Sequence, residues 1–164
     1  MGKEQSPEIL AKVVSRMEGV EAFFIGDVER DSVLRRMTKN IALLEPMEHH
    51  AYLNFMYNKV DVGFFSLKGD LSSLCIPSKL YEYLNIGLPM IGAIRGDARE
   101  IIKTHGFGLA CEYDEEEIKD SILAMKNVHF YKEVCENIVA EKRKWSMREQ
   151  FRVAIEVVSD VLSR

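Results

Sequence analysis

The chain has 164 residues, 47% of them hydrophobic, and a formal net charge of −4. One domain with a real core is expected at this length, and the acidic balance carries no nucleic-acid footprint. No stretch reads as a signal peptide or approaches the ~20 apolar residues of a membrane helix, while Cys75, Cys111 and Cys135 form no CxxC pair and read as reduced thiols of a cytoplasmic protein.

The first predicted element is a helix from Pro7 to Met17, with Ile9, Leu10, Val13, Val14 and Met17 at helical spacing. A strand from Val20 to Ile25 follows and ends at Gly26-Asp27. Glu29 to Met37 reads as a short helix, Ile41 to Leu44 as a strand, and His49 to Asn58 as an aromatic-rich helix. Val60 to Phe65 reads as a buried strand. Further on come a strand at Met90 to Ile94, a helix at Ala98 to Thr104, a strand at Leu109 to Cys111 and a helix at Glu115 to Met125 with a capped acidic first turn. The tail from Phe130 is helical, with Phe151, Ile155, Val158 and Leu162 on one stripe. Alternating short strands and helices predict an α/β domain: a doubly wound, Rossmann-like parallel sheet covered on both faces, spanning residues 1–164 as a single unit.

Between Phe65 and Met90 lies the most telling segment, Pro77-Ser78-Lys79-Leu80-Tyr81-Glu82-Tyr83-Leu84-Asn85-Ile86-Gly87-Leu88-Pro89. Pro77 and Ser78 suit a helix start, Gly87 a left-handed C-cap, and Pro89 forbids continuation. A loop therefore leaves a strand end and enters a helix whose free N–H groups suit an anion. Glu82 lies one turn in, on the face of Ser78, where a carboxylate suits the paired hydroxyls of a ribose. In open parallel sheets ligands bind at the carboxyl ends of strands, which directs attention to Gly26-Asp27, Pro46 to His50, Ser66 to Pro77 and Arg95 to Arg99. Taken alone, Glu82 reads as a solvent-facing glutamate, Lys79 as an exposed first-turn lysine and Ser78 as a simple N-cap.

Pro-Ser-Lys-Leu-Tyr-Glu-Tyr-Leu-x-x-Gly-x-Pro resembles the nucleotide-sugar-binding segment of retaining GT-B glycosyltransferases, the group of glycogen synthase, sucrose synthase and many bacterial polysaccharide transferases. Phe23 to Asp27, Asn40 to Met47, Lys59 to Leu67, Gly96 to Ile102, Gly106 to Leu109 and Trp145-Ser146 fall in the family's order. The resemblance covers nearly the whole chain but only the C-terminal half of such an enzyme. It implies a donor-binding domain for a UDP- or GDP-linked sugar, transferred with retention to a saccharide or lipid-linked acceptor held by an N-terminal domain.

The resemblance further implies the donor contacts: Glu82 on ribose, Lys79 on diphosphate, backbone N–H groups of Ser78 and Leu80 on phosphate, and Lys3 as the family's first-loop lysine. Pro46, within the segment from Asn40 to Met47, belongs to the same set. No catalytic residue is assigned. Leu74 stands where the family often has a second glutamate, eight residues before the ribose one. The helix at Pro7 has no strand before it, so either the sequence starts within a longer gene or the sheet lacks its usual first strand.

No cofactor or metal is expected. His49, His50, His105 and His129 lack ligand partners at metal spacing, and Asp-x-Asp and GxGxxG are absent. Lys142-Arg143-Lys144 with Arg148 and Arg152 reads as a solvated basic face, with peripheral contact to the inner face of a membrane as the weaker reading. Two alternatives stand beside the transferase: half of a nucleotide-sugar epimerase, and a non-catalytic Rossmann-like module that binds a nucleotide or a protein.

Overall fold

Among the described residues every strand is four residues long, and helices alternate with the strands along most of the chain. The computed structural model describes residues 7–26, 34–36 and 39–162. The order is α1 (Glu8–Val14), β1 (Ala22–Ile25), a 3-10 turn (Leu34–Arg36), β2 (Ile41–Leu44), α2 (His49–Lys59), β3 (Gly63–Ser66) and α3 (Leu71–Leu74). Then come α4 (Ser78–Ile86), β4 (Met90–Ala93), α5 (Gly96–His105), β5 (Gly108–Cys111), α6 (Glu115–Met125), α7 (Val128–Glu141) and α8 (Met147–Leu162).

All ladders are parallel. β1 pairs β2, with Ala22 opposite Ile41. Separately, β3, β4 and β5 form a three-stranded sheet in which Gly63 is opposite Met90 and Met90 opposite Gly108. β4 is buried along its whole length, and the pleat sends its side chains alternately to two cores. Met90 joins Leu80, Leu84, Ala98, Ile102, Val134 and Ile138 from α4, α5 and α7. Ile91 and Ala93 join Ile9, Val13, Ile118 and Met125 from α1 and α6. Helices thus cover both faces, as a doubly wound Rossmann-like domain requires. Burying each large apolar side chain contributes about 1.5–3 kcal/mol.

α1 lies across both sheets. Ile9, Val13 and Met17 pack on the three-stranded sheet, and Ala11 and Val14 on Ala22 and Phe24 of β1. A cavity of about 1040 Å³ lies between β1 and β3.

Several expected boundaries shift for physical reasons. Val60 is the C-cap of α2 and its N–H donates to the Met56 carbonyl, so β3 starts at Gly63 and not at Val60. At Gly63 a Cβ would meet the Tyr83 ring at 2.5 Å, so glycine is what lets that ring lie on the strand. The predicted helix at Glu29 to Met37 lies outside the described residues except for Leu34–Arg36, which form a 3-10 turn. The single helical tail is two helices, because the chain turns at 142–146. α3 was not foreseen; it packs toward α5, with Ser73 backbone close against Gly96. At Gly108 φ is +151°, and a Cβ there would stand 1.8 Å from the Met90 carbonyl oxygen.

Candidate functional site

Pro77 fixes the entry to α4. Its φ of −63° and ψ of 138° make it an extended N-cap, with no side-chain cap on the helix. Ser78 is therefore the first helical residue and not the capping one; its side chain is exposed. The Leu80 N–H donates to the Pro77 carbonyl at 3.0 Å. The N–H groups of Ser78 and Lys79 have no partner among the described residues and open toward solvent with the positive end of the helix dipole. Gly87 closes α4 in the left-handed conformation, φ 83°, accepting the role read from the sequence.

Glu82 is half-buried one turn into α4. Lys79 Nζ donates to both of its oxygens, at 2.9 and 2.8 Å. From α2, the Tyr52 hydroxyl donates to Oε1 of the same carboxylate, and Lys79 Nζ stands 5.4 Å from the Tyr52 ring centre. Burial, and then the Glu82 carboxylate, push the Tyr52 hydroxyl far above its ordinary pKa, so Tyr52 remains a donor. A carboxylate offers about four acceptor positions. Three are filled here, and when Lys79 turns to another anion two of them fall free on adjacent oxygens.

The cavity between β1 and β3 reaches this place. At the carboxyl end of β3 it is lined by Tyr52, Ser66, Leu67, Pro77, Ser78 and Lys79. The remaining expected residues sit differently. Leu80 is fully buried and its side chain belongs to the core; its N–H is given to the Pro77 carbonyl, so the backbone donors open to a ligand here are those of Ser78 and Lys79 and not, as expected, those of Ser78 and Leu80. Pro46 is exposed in the loop between β2 and α2 and does not line the cavity. Lys3 lies outside the described residues. Leu74 is 75% exposed on α3.

The Arg95–Arg99 loop is engaged elsewhere. Arg95 Nε and Arg99 donate to the two oxygens of Glu112 at 2.6 Å each, and the Arg95 hydrogen bond holds the Glu112 carboxyl below its usual range. His105 contacts Glu141 at 2.8 Å and stacks on Phe107. Asp114 caps α6 by accepting from the Glu116 and Glu117 N–H groups. In the basic stretch, Lys144 pairs with Glu141 and Arg152 with Glu149 and Glu156, which suits a solvated face. Among the described residues, no group of three or more His, Cys, Asp or Glu is placed to hold a metal ion. No described helix is long and apolar enough to cross a membrane.

Tyr52 is the site residue that the sequence does not disclose. It lies thirty positions from Glu82, and nothing local in the helix from His49 marks it.

No family model matches the chain, and no curated protein matches it in sequence. Its fold is similar to that of HepE from Anabaena, whose crystal structure was solved in complex with UDP-glucose. The similarity has a TM-score of 0.75 at 12% identity and covers 97% of this chain. This chain spans 46% of the length of HepE.

Proposed function

We propose that this chain is the donor-binding half of a retaining glycosyltransferase that moves a sugar from a UDP- or GDP-linked donor to a saccharide or lipid-linked acceptor. The observation that carries the reading is the start of α4. Two N–H groups without a partner among the described residues, one lysine and one oriented carboxylate converge at the carboxyl end of β3. The fold likeness to HepE, a protein solved with UDP-glucose, supports it.

In this reading the diphosphate sits on the N–H groups of Ser78 and Lys79, and the Lys79 ammonium turns from Glu82 to it. Glu82, still held by Tyr52, then accepts from the paired ribose hydroxyls. Charge that develops on the leaving diphosphate meets donors already in place. The acceptor would be held by an N-terminal domain of the parent enzyme, at work in the cytoplasm. Lys142, Arg143 and Arg148 are the groups through which that enzyme would meet an anionic membrane surface.

Calorimetric titration with UDP, GDP and their sugars tests the reading directly. The expected affinity is micromolar to millimolar, about 4–8 kcal/mol, and an absence of heat with every nucleotide would overturn it. Binding is also expected to be independent of divalent metal, because the helix dipole and Lys79 supply the positive charge. Affinities in magnesium and in EDTA should agree within about twofold; a strict metal requirement counts against the site.

Sugar transfer by the 164-residue chain alone is expected to be undetectable. One domain offers one wall of a cleft, whereas transfer needs donor and acceptor held together out of water. Phe151, Ile155, Val158 and Leu162 lie on α8, each more than half exposed, and suit a docking stripe for the missing half. Robust transfer by a verified monomer would show that the active site lies elsewhere.

A further inference from the structure

Lys79 and Glu82 are bonded to each other, and the bond closes the carboxylate. The ammonium spans both oxygens, at 2.9 and 2.8 Å, and among the described residues neither group has another ion pair. They stand three positions apart on α4, so the helix itself holds them one turn from each other. Tyr52 enters from α2, donates to Oε1 of Glu82, and lays its ring 5.4 Å from the ammonium. The hydroxyl fixes the carboxylate. The lysine, with 44% of its side chain exposed, is the partner able to turn. Where it turns is set by the N–H groups of Ser78 and Lys79, which have no partner among the described residues and suit an anion at the head of α4.

Resting on the donor reading, we infer that Lys79 is a specificity-determining counter-ion, which keeps Glu82 closed to any diol that brings no anion with it. A diol alone, on a nucleoside or a free saccharide, reaches the carboxylate only by displacing the ammonium, and it leaves that ammonium without an anion. A phosphate draws the ammonium to the head of α4 and opens both oxygens of Glu82. The two recognitions thus form one linked equilibrium, in which each part of the ligand improves binding of the other by the same factor. The linkage comes from the Lys79–Glu82 bond, because a lysine that touched only phosphate would leave the diol indifferent to it. The chemistry selected is a vicinal diol and a phosphate on one molecule, as in a nucleoside diphosphate. Uncharged saccharides are turned away from Glu82, which keeps a carbohydrate acceptor out of the ribose place.

Lys79→Met removes the ammonium and keeps most of the stem, while the Tyr52 hydroxyl still orients Glu82. The variant is expected to bind UDP or GDP at least about fivefold more weakly, since a charge-assisted bond to phosphate is gone. It is expected to bind the matching nucleoside, uridine or guanosine, about two- to fivefold more tightly, the range that a partly exposed ion pair supports. A lysine that serves phosphate alone, or one that merely steadies α4, does not produce opposite signs for nucleotide and nucleoside. The amide shifts of Ser78 and Glu82 follow these weak ligands. In the native chain, inorganic phosphate should tighten the nucleoside by about the same factor relative to sodium chloride of equal ionic strength. In Lys79→Met it should not. Unchanged or weaker nucleoside binding by Lys79→Met overturns the inference, as does an equal effect of phosphate on both proteins. In either case nucleotide binding by the native chain leaves the donor reading standing. Absence of binding by UDP and GDP alike overturns the donor reading and this inference together.

Discussion

Replacing Glu82 with alanine is expected to weaken nucleotide binding by roughly tenfold to a hundredfold, since charge-assisted hydrogen bonds contribute about 1.5–3 kcal/mol. The loss should fall on ribose-bearing ligands and spare inorganic diphosphate. Lys79 and the open N–H groups of α4 remain, and Lys79 is released from its bonds of 2.8 and 2.9 Å to Glu82. Tyr52→Phe should cost less, because it removes only the hydroxyl that holds the carboxylate. Thermal stability should barely change in Glu82→Ala, since a partly exposed ion pair contributes about 0–1 kcal/mol. Calorimetry with UDP, GDP and diphosphate decides the matter. Undiminished affinity for the nucleotides would remove Glu82 from the site, whatever becomes of the fold.

The largest effect on stability is expected at Gly108. Its φ of +151° disfavours any side chain, and a Cβ would fall 1.8 Å from the Met90 carbonyl oxygen. Neither strand has room to yield. Met90 and Gly108 are paired in the ladder, and β4 is buried on both faces. Gly108→Ala should cost about 3 kcal/mol or more, which lowers the melting point by about 6–12 °C in a chain of this size. Gly69→Ala is the control: its φ of +68° carries the backbone penalty alone, with no atom within 4 Å of the added carbon, so about 1–2 kcal/mol is expected. Equal midpoints for the two variants in thermal denaturation would mean that β5 is not seated as described.

How much of this was legible depends on how local the cause is. β2 and α6 begin and end where the sequence places them, since Asp114 caps α6 from the adjacent residue. α4 carries its own start and stop in Pro77 and Gly87, and the two-faced sheet follows from strand and helix alternation. Causes that act across the chain left no local mark. The Tyr52–Glu82 bond joins residues thirty apart. α3 is held against α5 by tertiary packing, with only Ser72 and Ser73 hydroxyls bonding back to Gly69 and Asp70. The turn between α7 and α8 contains neither glycine nor proline, so its position could not be read. Ser78 misled in a smaller way: its type suits a cap, but Pro77 takes that place and the hydroxyl is left exposed.

The chain contains one tryptophan, and its surroundings make it an optical reporter of one part of the molecule. Trp145 lies 5.1 Å from the His105 ring centre, 5.8 Å from Phe107 and 6.4 Å from Tyr81. Its emission therefore follows the seam where α4, α5 and the start of β5 meet, and is blind to β1 and β2. Circular dichroism weighs the whole backbone. Coincident melting by the two signals would mark a single cooperative unit, whereas a dichroism change that precedes the fluorescence change would show the two-stranded sheet opening first.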